Sequence, residues 1–375
     1  MFRLNSILFT ALFFLCTWQN VRENVTTYKA PIDAPTVDGP YVLYRNDSAF
    51  VKYIQDNSGI LSVKEDSMSV KTRGNITLQV NTDIPGKTFT VKLKSKLTNE
   101  KPEYNGVKKM LVISDIEGNF EAFRKLLQVN GVIDENFNWT FDKGHLVLVG
   151  DFVDRGKMVM EVLWLIYSLE DKAKAAGGYV HYILGNHEIM NMSGDLGYVH
   201  ERYILHALLM NEPYMQLFGP DAEIGRWLAS KNIVERVGNT LFTHGGISSY
   251  MNNLQSPLKE LNEITRPYYT DSTYEYKDVR LNVVYSDFGP FWYRGYYKTP
   301  KATQEQVDST INFYGVKQIT TGHTIIANQI TSFFKGKVID IDMLHAEGVS
   351  EALLMEDGKM WRVNKAGEKS PVISL

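Results

Sequence analysis

The chain has 375 residues, enough for two or three domains, and its 44% hydrophobic and 12% aromatic content is ample for packed cores. A formal net charge of -3, with no run of basic residues, excludes a nucleic-acid-binding surface built on charge. A single cysteine, Cys16, excludes a disulfide framework and a thiolate metal site, so any metal must be held by oxygen and imidazole.

The first segment differs from the rest. Arg3 and the amino terminus precede an almost wholly apolar run, Ile7 to Trp18. That run is shorter than the ~18 residues of a spanning helix and fits a secretory h-region. No small-x-small cleavage pattern follows it, and Leu15 before Cys16 does not suit a lipoprotein box. Residues 1–20 are therefore expected to be a signal peptide or an uncleaved membrane anchor. The expected location is exported, periplasmic or membrane-tethered. Residues 21–40, with Pro31, Pro35 and Pro40, read as a linker.

From residue 41 to 98 the pattern is β-rich. Tyr41–Tyr44, Ala49–Ile54, Ile60–Val63, Ile76–Val80 and Phe89–Leu93 are short, and several alternate apolar with polar residues. Asn57-Ser58-Gly59, Arg73-Gly74-Asn75 and Pro85-Gly86 separate them as turns. The prediction is a small antiparallel unit with a structural or partner-binding role.

Residues 105–375 form the second unit, in which strands and helices alternate. Met110–Ile113 is a buried strand, and Asn119 caps a helix with the stripe Phe120, Phe123, Leu126 and Leu127. His145–Val149 and Tyr179–Leu184 are further strands. Between them Val159, Val162, Leu163, Leu165, Ile166 and Leu169 mark a helix. Residues 189–230 read as largely helical, broken at Pro213 and Gly219-Pro220. Gly238-Asn239 joins two strands as a hairpin. Thr303 and Gln306 form a capping-box pattern for a helix from Gln304 to Phe313. Strands at 317–321, 329–333, 338–341 and 351–355 follow. An early βαβα part and a late strand-rich part predict an α/β fold of two packed mixed sheets with helices outside.

Five strand ends carry polar residues that packing alone does not require. They are Ser114-Asp115-Ile116-Glu117-Gly118, Gly150-Asp151-Phe152-Val153-Asp154-Arg155-Gly156, Gly185-Asn186-His187-Glu188, Thr243-His244-Gly245-Gly246 and Thr321-Gly322-His323-Thr324. Strand ends are where open α/β sheets place their chemistry. Any one of these is more often a helix cap or a hydrogen-bonded structural residue. Five together, each beside glycine, supply Asp115, Glu117, Asp151, Asn186, His244 and His323 as oxygen and imidazole ligands. Such a set suits two divalent first-row metals with one carboxylate shared between them. Metals ~3.5–4 Å apart can clamp phosphoryl oxygens.

In this order the five motifs resemble those of the calcineurin-like metallophosphoesterases. Asp154-Arg155-Gly156 and His244-Gly245-Gly246 are similar to the bacterial-like branch of the phosphoprotein phosphatases. The resemblance covers residues 108 to 350 and leaves out the β-rich unit. It implies a phosphomonoesterase acting on phosphoprotein or phosphopeptide substrates, through a hydroxide held between two metals. Asp115, Glu117 and His323 would hold the first metal, Asn186 and His244 the second, and Asp151 both. His187 would be the general acid and Asp154 its support, while Arg155 would grip phosphate. Arg294, in Phe291-Trp292-Tyr293-Arg294-Gly295, is the expected second phosphate ligand, with Arg202 and Arg226 as fallbacks.

Glu117 departs from the family pattern, which has histidine there. A carboxylate adds charge and a hard oxygen, so manganese is expected first, with magnesium, iron or zinc as alternatives. Tyrosines and Trp292 crowd residues 268–297 and either pack a long loop or wall a cleft for an aromatic phosphate. Two other readings stay open: a dinucleoside polyphosphate hydrolase, and a catalytically weak phosphate-binding protein.

Overall fold

A computed structural model describes residues 27–29, 37–273 and 275–375 of the protein. The apolar run Ile7 to Trp18 and the linker's first prolines lie outside the described residues. Among those described, no helix is long and apolar enough to cross a membrane.

Two mixed sheets face one another. The six-stranded sheet runs Tyr179–Ile183, His145–Val149, Lys109–Ile113, Glu351–Glu356, Lys359–Asn364 and Lys369–Pro371. Its first three strands are parallel and the rest antiparallel. The seven-stranded sheet runs Ile373–Ser374, Thr331–Phe333, Val338–Asp340, Gln318–Thr321, Thr240–Thr243, Val234–Val237 and Glu103–Tyr104. Strand alternation divides the core. Met110, Val112, Val147 and Val149 meet Phe242, Ile339 and Ile341 between the sheets. Leu111, Ile113, Leu146 and Leu148 join the larger cluster formed with the helices Phe120–Val129 and Val159–Ala175. The expected N-caps are present, with Asn119 Oδ1 accepting from Ala122 N at 3.1 Å and Thr303 Oγ1 from Gln306 N at 3.2 Å. The capping box at Thr303 is not completed, because the Gln306 side chain donates instead to Tyr293 Oη at 2.9 Å.

The helix Val159–Ala175 is buried on every side from Val159 to Glu170, not along one stripe. An all-round apolar helix needs a cover on its outer face. The β-rich segment is that cover. Asp38–Arg45, Ser48–Asn57 and Ile60–Ser69 form an antiparallel sheet with Thr27–Lys29 at its edge, and Thr77–Asn81 pairs with Thr88–Lys92. Trp164 Nε1 donates to Pro40 O at 2.8 Å, and Lys94 N donates to Tyr167 Oη at 2.7 Å. Glu223 is fully buried, but Tyr44, Tyr167 and Arg73 all donate to it, so its charge is answered across the boundary. The strands Lys359–Asn364 and Lys369–Pro371 extend the sheet beyond the last strand read from the sequence.

Candidate metal and phosphate site

The five motifs converge at one end of the two sheets. Backbone bonds stitch the first two together: Asp115 N to Gly150 O at 3.0 Å, Glu117 N to Asp151 O at 2.9 Å and Gly118 N to Phe152 O at 3.0 Å. Asp115, Glu117, Asp151, Asp154, Arg155 and His323 all have positive φ, between 47° and 70°. Non-glycine residues in that region persist only where their surroundings over-determine them, and such residues cluster at functional sites. Two of the flanking glycines are there for space. A Cβ on Gly185 would collide with Asp151 Oδ1, and one on Gly322 with Asp115 Oδ2.

Glu188 holds the loops in place. Its buried carboxylate accepts from Asp151 N at 2.9 Å, Phe152 N at 2.8 Å and Gly185 N at 2.7 Å, and from Tyr182 Oη at 2.9 Å. The sequence marked the Asn-His-Glu motif but gave Glu188 no task. Backbone donors exposed at two strand ends were the missing half of that inference.

A cavity of about 240 Å³ opens at this point. Of the ten residues read from the sequence, Asp115, Glu117, Asp151, Arg155, His187, Arg294 and His323 line it. Asp154, Asn186 and His244 are buried beside them. Arg294 donates to His323 O and, at 3.2 Å, to Thr324 Oγ1, which fixes it at the cavity. The fallbacks are elsewhere: Arg202 donates to Lys157 O and Val37 O, and Arg226 lies over the Tyr44 ring. Lys298 and Asp342 also line the cavity, and no motif in the sequence pointed to either. Asp342 follows the strand Val338–Asp340, so it is a sixth strand-end acid, lacking the glycine neighbour that marked the others.

The ligand atoms of Asp151, His244 and His323 lie within 4.8 Å of one another, as do those of Glu117, Asp151 and His187. Asp151 belongs to both groups. Asp115 enters neither; its carboxylate accepts from the His323 backbone N–H at 3.3 Å. The resemblance pairs His323 with Asp115, whereas the geometry groups its ring with His244 and Asp151. His244 Nδ1 donates to Val149 O at 2.7 Å, which aims Nε2 at Asp151 Oδ2 and Asn186 Oδ1, each 3.0 Å away. Those oxygens call for positive charge. Burial opposes a charged His244, but Asp151 outweighs it and holds the imidazolium up to about 9. A divalent ion supplies the same charge, so the donor set fits a metal. Burial and the Asp342 charge push Asp115 well above the usual carboxylate range, a crowding that a cation relieves.

His187 Nδ1 lies 2.7 Å from Asp154 Oδ2. Asn191 donates to Asp154 Oδ1 at 2.8 Å and accepts from Tyr214 Oη at 2.7 Å, so the pair is locked from behind. Burial opposes protonation of His187, but Asp151, the Asp154 bond and Glu117 raise it to about 9. The half-exposed Tyr198 ring lies 4.9 Å from the His187 ring and 5.2 Å from the Arg155 guanidinium carbon. Glu117 and Arg155 form an ion pair. The crowded tyrosines mostly pack one another: Tyr276 lies 5.3 Å from Tyr268 and 4.8 Å from Tyr285, and Tyr296 and Tyr297 are buried.

Two sheets, strand-end carboxylates and imidazoles, and arginines beside a small cavity define a metal-dependent phosphoesterase. Residues 108–327, more than half of the chain, match the family model described as calcineurin-like phosphoesterase, and the chain belongs to that family. It is a metallophosphatase. It is 28% identical over 303 residues to Shewanella-like protein phosphatase 2 of Arabidopsis thaliana, covering 68% of this chain and 74% of that one. It is 27% identical over 231 residues to Shewanella-like protein phosphatase 1 of Plasmodium berghei, covering 59% and 62%. The crystal structure of a cold-active protein-tyrosine phosphatase from a psychrophilic Shewanella species is similar at a TM-score of 0.80. Its identity to this chain is 36%, with 89% of this chain and 98% of that one covered.

Proposed function

We propose that the protein hydrolyses phosphomonoesters of proteins or peptides, with aryl esters such as phosphotyrosine preferred. The observation that carries this reading is the His187–Asp154 pair, beside a cavity that Arg155 and Arg294 also line. Two divalent ions would be held by Asp115, Glu117 and Asp151 on one side and by Asp151, Asn186, His244 and His323 on the other. When bound they supply Lewis acidity and an activated water. Hard oxygen ligands on the first side favour manganese or magnesium.

The chain's own residues supply the rest. Arg155 and Arg294 orient the phosphoryl group and meet the charge that develops on it. His187 gives a proton from Nε2 to the leaving oxygen, while Asp154 fixes Nδ1 and supports the charged ring. Tyr198 offers an aromatic wall next to His187, where the leaving group departs. The cavity, about 240 Å³, suits a phosphoryl group with part of one ring, and falls below the ~300–1,000 Å³ of sites that enclose drug-sized ligands. That favours a phosphorylated side chain over a dinucleoside polyphosphate. The likeness to the Shewanella protein-tyrosine phosphatase supports the same choice. Export, with or without a retained tether, is part of the proposal and rests on the apolar run Ile7 to Trp18.

A panel tests it: manganese-dependent hydrolysis of an aryl phosphate, phosphoserine, a phosphotyrosine peptide and a dinucleoside tetraphosphate. The aryl phosphate and the phosphotyrosine peptide should turn over fastest. Preference for the dinucleotide would replace this reading with the nucleotide one. No turnover on any of them would favour a phosphate-binding protein.

A further inference from the structure

Glu117 has two competing partners. Its Oε1 is ion-paired with Arg155 Nη1, and its ligand atom lies within the same 4.8 Å group as those of Asp151 and His187. Its side chain is 14% exposed, so it has little recourse to water. Arg155 is 48% exposed and rests over Tyr198, which leaves it room to turn. A carboxylate on a guanidinium is geometrically a stand-in for a phosphate, because both present oxygens to the same fork. While Glu117 occupies Arg155, an incoming phosphate finds a paired arginine and a nearby negative charge.

We propose that Glu117 is a positioning residue that withholds Arg155 from phosphate until a divalent cation draws the carboxylate toward Asp151. Cation and phosphate then bind with positive coupling through one side chain. The coupling is reciprocal, so phosphate must strengthen cation binding by the same factor. A neutral side chain at this position could not pair with arginine in this way. The device therefore belongs to this chain's own residue. The inference rests on the phosphomonoesterase reading only in taking phosphate as the ligand.

The experiment is a double-mutant cycle read by binding. Inorganic phosphate is titrated calorimetrically into metal-stripped and manganese-loaded protein, for wild type, Glu117→Gln, Arg155→Ala and the double variant. In stripped protein, Arg155→Ala should change wild-type phosphate affinity by less than about twofold. In the Glu117→Gln background it should cost about tenfold, the size expected for one charge-assisted contact. In loaded wild type the same substitution should again cost about tenfold. An equal cost of Arg155→Ala in both stripped backgrounds overturns the proposal, as does no cost in loaded wild type. If stripped protein binds phosphate too weakly to read, the reciprocal measurement decides. Manganese affinity, followed by the resonance signal of free ion, should rise with phosphate in wild type and rise less in Glu117→Gln or Glu117→Ala. An equal rise in all three overturns it. Failure of the assay panel with this coupling intact would remove the enzymatic reading and leave the switch standing.

Discussion

Histidines lie toward both ends of the paired strands His145–Val149 and Tyr179–Ile183, and the two ends behave in opposite ways. His145 opens the first strand, His181 lies within the second, and His187 follows it in the helix Asn186–Ser193. At the starting end, His145 Nδ1 lies 2.8 Å from His181 Nε2, and His181 Nδ1 lies 2.8 Å from Glu235 Oε2. Burial, then the neighbouring His181, push His145 down to about 4. At the far end His187 is more deeply buried yet is raised to about 9, because Asp151, Asp154 and Glu117 surround it with negative charge. Burial opposes the charged ring in both places. The sign of the outcome is decided by what the neighbours leave unanswered. One end is a satisfied structural relay, and the other holds excess negative charge suited to cations and a proton donor.

Substitution at each end separates the two roles. His187→Asn should lower kcat on an alkyl phosphate by ~10²–10⁴ with manganese present, whereas His145→Gln should leave it within about twofold. Comparable losses from both would erase the distinction. Arg294→Ala, at the cavity, should cost on the order of 10² in kcat/KM, against less than about twofold for Arg226→Ala over Tyr44. A pH profile sharpens the electrostatic part. Asp154→Asn removes a bond and a charge that favour protonated His187, so the alkaline limb of kcat/KM should move to lower pH by about one unit. A limb that stays in place would detach it from His187. The smallest effect lies at the structural end. The folded-state pKa of His145 is below its unfolded value, so a proton prefers the unfolded chain. Its contribution to stability is intact above about pH 6.5 and is lost as pH falls toward 4. Replacing His145 with Gln should reduce acid destabilisation across that window by about 1 kcal/mol, allowing for screening of a partly exposed ring. Denaturant melts at pH 7 and pH 4.5 would measure it.

Most of the fold was legible because strand periodicity and turn residues are local. The strands around Tyr41, Ala49, Ile76 and Phe89 stand where alternation predicts them. That the β-rich segment roofs the helix Val159–Ala175 could not be read that way. The all-round apolar character of Met160, Trp164 and Tyr167 was the available sign, and it needs a partner from far along the chain. Nine of the ten candidate site residues were legible through glycine-flanked strand ends and Arg294 only through the family resemblance, and seven of the ten line one cavity. Asp342 and Lys298 were not, because neither sits in such a motif. The task of Glu188 was not legible either, because three of its four donors are backbone N–H groups, which carry no residue identity. The Glu117–Arg155 pair depends on positive φ at both residues, a property that sequence spacing does not encode.

If His187, held by Asp154, protonates the leaving oxygen, kcat measured across aryl phosphates of graded leaving-group pKa will separate wild type from His187→Asn. Wild type should show little dependence. The variant should fall steeply as the leaving group becomes more basic, nearly matching wild type only for the most acidic phenols. Parallel lines, with the same loss on every leaving group, would contradict the assignment.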